Sequence, residues 1–197
     1  KEVKPASRKF FDKFNPATGK VLGVVARGDK RDVERALRSA ERAYPAWSQT
    51  PVIKRAEILR EAVLLIRARK DELADLVALE SGKPRRDALA EVGSPIESGF
   101  FFAGEGRRYY GEVQQSINPN REVRMIRQSV GVGALISPFN SPSAAFGTKV
   151  FPALLCGNTV VVKSHEYTPY VAIWFAKIFK EAGLPSGVIS VVQGLGR

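Results

Sequence analysis

Apolar residues in the first half of the chain recur at spacings of three and four. Val33, Ala36, Leu37, Ala40, Ala43 and Trp47 form one series, and Val52, Ala56, Leu59, Val63 and Ile66 a second. That is the period of helices with one face in a core. Thr50-Pro51 reads as the cap and first-turn residue of the second helix. Ser81-Gly82 with Pro84 stops a third, which carries Leu73, Leu76 and Val77. A fourth runs through Ala88, Val92, Ile96, Phe100, Ala103 and Tyr110, with Pro95 either kinking it or restarting it after Ser94.

From Glu112 to Ser129 the helical period fails, and two short β-prone segments flank the turn-forming Asn118-Pro119-Asn120. A hairpin over 112–129 follows. Its poor alternation and the lack of a covering strand nearby predict that it projects and pairs with another subunit. The remainder alternates. Val130 to Ile136, Thr159 to Lys163 and Val188 to Val192 read as strands; a helix ending near Gly157 and another over Pro169 to Ala182 lie between them. Uniformly apolar strands in a β-α-β-α-β order predict a parallel sheet buried on both faces. The expected fold is therefore α/β: amino-terminal helices plus a Rossmann-like parallel sheet, with residues 1–111 and 130–197 as one body and 112–129 as a protruding β-hairpin.

Composition narrows the partners. A chain of 197 residues that is 44% apolar buries a core. No apolar run reaches the roughly 20 residues that cross a bilayer, and Lys1 to Lys9 lack the apolar centre of a secretion signal. No membrane partner is expected. One cysteine, Cys156, and one histidine, His165, leave no Cys/His metal cluster and suit a reducing cytoplasm. The net charge of +11 raises nucleic acid as a partner. Its distribution argues against that: residues 131–197 hold five Lys/Arg against two Asp/Glu, and 1–130 hold 26 against 18 with both signs interspersed. Mixed charge along helices is a solvated face, and no nucleic-acid partner is expected.

Ligands of parallel sheets bind beyond the carboxyl ends of the strands, which points to turns 137–142 and 164–168. Lys163-Ser164-His165-Glu166 ends a strand, where dinucleotide folds place an acid that accepts from the adenosine ribose. Glu166 lies 29 residues past Ser137, further than the usual ~20, and by spacing alone a Lys and a Glu on a loop read equally as solvated. Asn140, before a helix start, offers an amide to negative charge developing on a carbonyl oxygen. It reads equally as a turn former between Pro138 and Pro142.

Taken together, three ordered segments closely resemble consecutive motifs of the aldehyde dehydrogenase superfamily: Gly131-Val-Gly-Ala-Leu-Ile-Ser-Pro-Phe-Asn-Ser-Pro142, Lys149-Val-Phe-Pro-Ala-Leu-Leu-Cys-Gly-Asn-Thr-Val-Val-Val-Lys163 and Glu181-Ala-Gly-Leu-Pro-Ser-Gly-Val188. Asn15-Pro-Ala-Thr-Gly19 and Glu80-Ser-Gly-Lys-Pro84 agree. The resemblance implies an incomplete NAD-binding domain and an oligomerisation hairpin. It implies that Asn140 helps form the oxyanion hole, that Lys163 and Glu166 hold the ribose hydroxyls, and that Ile136, Ser137, Pro138 and Phe139 pass beside the cofactor. A carboxylate at 166 favours NAD over NADP. Phe139 stands where the family usually has Trp, and Ser164 where it has Pro, a change expected to relax the loop and leave NADP as the alternative.

The family's nucleophilic cysteine and general-base glutamate lie downstream of these motifs and have no counterpart here. Cys156, in the apolar Ala153-Leu-Leu-Cys-Gly157, reads as an inert packed thiol, and His165 as no catalytic base. Gly194-Leu-Gly196 is a weak likeness to a phosphate loop. The implied function is the amino-terminal part of an NAD-dependent enzyme oxidising aldehydes to carboxylic acids, inactive alone, in a homo-oligomer (dimer or tetramer). Its substrate is a small-molecule aldehyde, met in the intact protein by residues just after Asn140 and by Phe100 and Phe102. The alternative is a non-catalytic dinucleotide-binding or oligomerisation module.

Overall fold

The computed structural model describes residues 3–196, and it begins with a hairpin that the helical reading of the first half omits. Phe10–Phe14 (β1) pairs antiparallel with Val21–Ala26 (β2). Their turn is made by Asn15 to Gly19: the Asn15 side chain accepts from the Ala17 amide at 2.8 Å, and Gly19 adopts φ 68°, which Gly tolerates and most residues do not. A register slip between Lys13 and Phe14 breaks the alternation that would have marked the strands.

Four helices follow. Lys30–Gln49 (α1) starts at a reciprocal cap between Asp29 and Asp32, which satisfies two of its free amides. Val52–Ala68 (α2), Lys70–Ser81 (α3) and Arg85–Glu105 (α4) form the rest of the layer. Thr50 closes α1 instead of capping α2: its hydroxyl and amide both bond the Ala46 carbonyl. Pro95 neither breaks α4 nor restarts it, and Tyr110 lies beyond the helix end. Glu112–Gln115 (β3) and Glu122–Met125 (β4) then form the predicted hairpin, with all eight residues exposed and Asn120 at φ 63° in its turn.

Val132–Ile136 (β5), Pro142–Leu155 (α5), Thr159–Lys163 (β6), Pro169–Glu181 (α6) and Ile189–Val192 (β7) complete the chain. The three strands are parallel in the order β5-β6-β7. This is the α/β, Rossmann-like arrangement expected. One face packs on α1, where the buried Thr159 hydroxyl donates to the Ala40 carbonyl at 3.0 Å. The core lies between the sheet and α2 to α6; Phe146 stacks on Phe175 there at 4.5 Å.

Burial on both faces holds for β6 but not for β5. Ala134 and Ile136 are exposed, the latter at 72%, because α1 lies over β6 and β7 and reaches β5 least. Among the described residues no helix is long and apolar enough to cross a membrane.

Candidate functional site

The parallel ladder sets both turns at one level. Ile136 is the register partner of Lys163, and the Ser137 amide extends the ladder by donating to the Lys163 carbonyl at 3.0 Å. Beyond that point the chains leave the sheet. The Phe139 ring lies 5.0 Å from the His165 ring and 5.7 Å from that of Tyr167, so an aromatic cluster bridges the two turns. A cavity of about 390 Å³ opens beside it, lined by Phe11 and Phe14 of β1 with Phe139, Glu166, Tyr167 and Leu195.

Ser164 does not relax its loop. It is 1% exposed, its amide donates to the Val192 carbonyl at 3.4 Å, and its hydroxyl donates to the Gln193 side chain. A proline there would lack the amide that makes the first of these bonds. Lys163 turns back on the loop, donating to the Ser164 carbonyl at 2.5 Å. Burial lowers its pKa, and the charge of Glu166 opposes that shift.

Glu166 sits with its carboxylate beside Gly196. Burial acts to raise its pKa, but backbone amides of Glu166 and Gly196 and the neighbouring His165 and Lys163 side chains hold it below the usual carboxylate value. It is therefore an ionised acceptor at neutral pH. His165 Nδ1 lies 3.6 Å from Glu166 but already accepts the Tyr167 amide at 3.1 Å.

Asn140 is exposed at the other turn, and its carbonyl accepts from Lys83 at 2.8 Å. Lys83 also bonds Glu91. Glu91 in turn accepts from the Ser143 amide at 2.8 Å, the Ser143 hydroxyl at 2.6 Å and the Ala144 amide at 3.4 Å. An equivalent contact serves α6: Glu80, 1% exposed, accepts from the Tyr170 and Val171 amides, both at 2.8 Å. Burial pushes the Glu80 carboxyl up to about 7 against the pull of those amides and of Lys13. The Lys13 ammonium bonds the carbonyls of Phe14 and Glu80.

α3 carries Glu80, α4 carries Glu91, the link between them carries Lys83 and β1 carries Lys13, and sequence reasoning passed over all four as site residues. The one signal was Glu80-Ser-Gly-Lys-Pro84, whose acid and base both arrive here.

Two other expectations change. Cys156 lies at the end of α5, next to the amino end of β6, so it is at the opposite edge of the sheet from both turns. Its surroundings are partly polar: it is half-buried, near Tyr109, and next to the Leu155 carbonyl that accepts from Arg55 at 2.9 Å. Phe100 and Phe102 are also remote from Asn140. Glu91 meets Ser143, Pro95 meets Gly147 and Gly99 meets Phe151, so α4 and α5 run parallel. Phe100 then stands roughly 13 Å along the axis from the level of Glu91.

The aldehyde dehydrogenase family matches residues 3–197. A lactaldehyde dehydrogenase of Escherichia coli (strain K12) is 40% identical over 187 residues, 95% of this chain and 39% of its own length. A crystal structure described as an E. coli NADP dependent enzyme superposes with a TM-score of 0.97 at 35% identity, covering 100% of this chain and 41% of its own. A betaine aldehyde dehydrogenase mutant from Staphylococcus aureus, solved with NAD+, gives a TM-score of 0.96 at 31% identity, covering 100% and 40%. The chain thus spans about two fifths of the length of the proteins it resembles.

Proposed function

Because the chain belongs to the aldehyde dehydrogenase family, we propose that it supplies the adenosine-ribose contacts and one oxyanion donor of a protein that oxidises aldehydes to carboxylic acids with NAD. The observation that carries this reading is an ionised Glu166 at the carboxyl end of β6, joined across the Phe139, His165 and Tyr167 rings to the turn that bears Asn140. Two carboxylate oxygens match a pair of ribose hydroxyl donors, and the Lys163 ammonium lies one residue behind the loop they occupy. The backbone from Ile136 to Phe139 runs alongside.

NAD, when bound, supplies the hydride acceptor. The chain's own part is to hold the adenosine end and to offer the Asn140 amide to a carbonyl oxygen as it gains charge. Glu166 favours NAD because a carboxylate repels the 2′-phosphate of NADP. NADP is the alternative, since the names of similar structures include both cofactors. The aldehyde belongs to the intact protein, and a lone thiol suits a reducing cytoplasm. With Cys156 at the far edge of the sheet, the 197 residues by themselves turn over no aldehyde.

Titration calorimetry with NAD tests the reading. Glu166→Ala is expected to weaken binding about tenfold or more, the scale of a hydrogen bond to a charged group. Equal affinities would sink it, and NADH formed from an aldehyde by the purified chain would overturn the claim that it is inactive alone.

A further inference from the structure

Neither crossover helix is capped by its own N-cap side chain. Ser141 precedes α5 and Thr168 precedes α6, and neither makes a side-chain cap bond. The free amides that every helix start leaves are met from a different layer, by Glu91 of α4 for α5 and by Glu80 of α3 for α6. The separations along the chain are 52 and 90 residues. A local Ser or Thr cap would satisfy the same amides but would move with its turn. A carboxylate rooted in another helix instead fixes where the crossover helix starts relative to the helical layer, and so where the preceding turn stands.

The two arrangements continue outward. Lys83 joins Glu91 to the Asn140 carbonyl, and Lys13 joins the Glu80 carbonyl to β1. Tyr170, whose amide Glu80 accepts, has its hydroxyl where a Cβ on Gly23 would collide with it, so β2 also leaves room for the same helix start.

We infer that Glu80 and Glu91 are positioning residues, one for each turn: Glu80 sets the loop 164–168 that carries Glu166, and Glu91 with Lys83 sets the turn that carries Asn140. The inference rests on the proposed roles of Glu166 and Asn140. Its consequence is that binding and turnover respond to different carboxylates.

The test is made on the full protein whose reading frame contains this chain. Glu80→Gln keeps side-chain size but turns one of two accepting oxygens into an amide donor aimed at a backbone N–H. One Glu91 oxygen takes Ser143 and Ala144 and the other takes Lys83, so Glu91→Leu, which removes both acceptors, is the matching variant. Glu80→Gln is expected to raise the Kd for NAD about tenfold and leave kcat at saturating NAD within about twofold. Glu91→Leu is expected to lower kcat about tenfold with the Kd for NAD held within about twofold. Lys83→Met, at a side chain 21% exposed, should lower kcat in the same direction.

Hydrogen exchange gives a readout independent of ligand. Glu80→Gln should speed exchange at Tyr170 and Val171 only, and Glu91→Leu at Ser143 and Ala144 only. Variants that shift Kd and kcat alike, or that lower only the melting temperature, overturn the inference. If Glu166→Ala leaves NAD affinity untouched, the ribose reading fails instead. The exchange pattern then decides the positioning claim: protection lost at one helix start supports it, and uniform loss overturns it.

Discussion

Glu80 is lifted to about 7 by burial, against the opposing pull of the Tyr170 and Val171 amides and Lys13, and that shift links its proton to the stability of the fold. Between the ordinary glutamate value of 4.5 and about 7, the folded chain holds a proton that the unfolded chain releases. The resulting stabilisation is present in full below about 4.5 and is lost as pH rises through about 7, on the order of 3 kcal/mol. Denaturant midpoints measured from pH 5 to 8 should therefore fall in the wild type relative to Glu80→Gln, which has no proton to lose; parallel curves would refute the assignment. Glu166 has the opposite sign, its pKa being held low, and it stays ionised across that range. The turns that hold Lys163, Glu166 and Asn140 were legible in the sequence as strand ends and a helix start, because the order of elements alone places them. Glu80 and Glu91 were not, because an acid on a helix among polar neighbours reads as solvated until a second helix brings amides to it.

The pairing of α4 with α5 depends on two glycines. A Cβ on Gly147 would fall 2.6 Å from Pro95 Cβ and 2.8 Å from its Cα, and one on Gly99 would fall 2.8 Å from Phe151 Cζ. The first obstacle is backbone and ring, which cannot rotate away. Gly147→Ala is thus expected to cost about 2 kcal/mol through overpacking, even though alanine is the better helix former. Gly93, on the same α4 with nothing within 4 Å of its Cβ position, is the control: Gly93→Ala should stabilise by about 0.5–1 kcal/mol. Chemical denaturation of both variants checks this, and equal shifts would refute the close-approach account. Periodicity revealed α1 to α4 because each keeps one face in a core over three or more turns. It failed for β1 and β2, where the slip at Lys13 and Phe14 scrambles a short alternation. Of the two readings of Pro95, a restart after Ser94 is overturned, because α4 runs continuously through the proline.

At the scale of the whole molecule, two features leave backbone and apolar surface without a partner among the described residues. The sheet ends on β5 and β7, each paired only with β6 among the described residues, and the face of β5 that carries Ile136 is open. The β3–β4 hairpin is the stronger case for an interface. Val113, Val123 and Met125 are 66%, 51% and 59% exposed on a two-stranded ribbon that has no core of its own, and such a ribbon is marginal in water unless a further strand or surface covers it. Its turn was readable from Asn118-Pro119-Asn120; what covers it was not, because the hydrophobic pattern of one sequence reports only on that chain's own core. If a second copy covers it, replacing residues 112–126 by a short Gly/Ser linker should convert a dimer or tetramer to monomer by light scattering. The melting temperature of the core should change little, since none of the eight strand residues is buried in it. An unchanged mass in the hairpin-deleted protein would place self-association elsewhere and leave the open edge of β5 as the next surface to test.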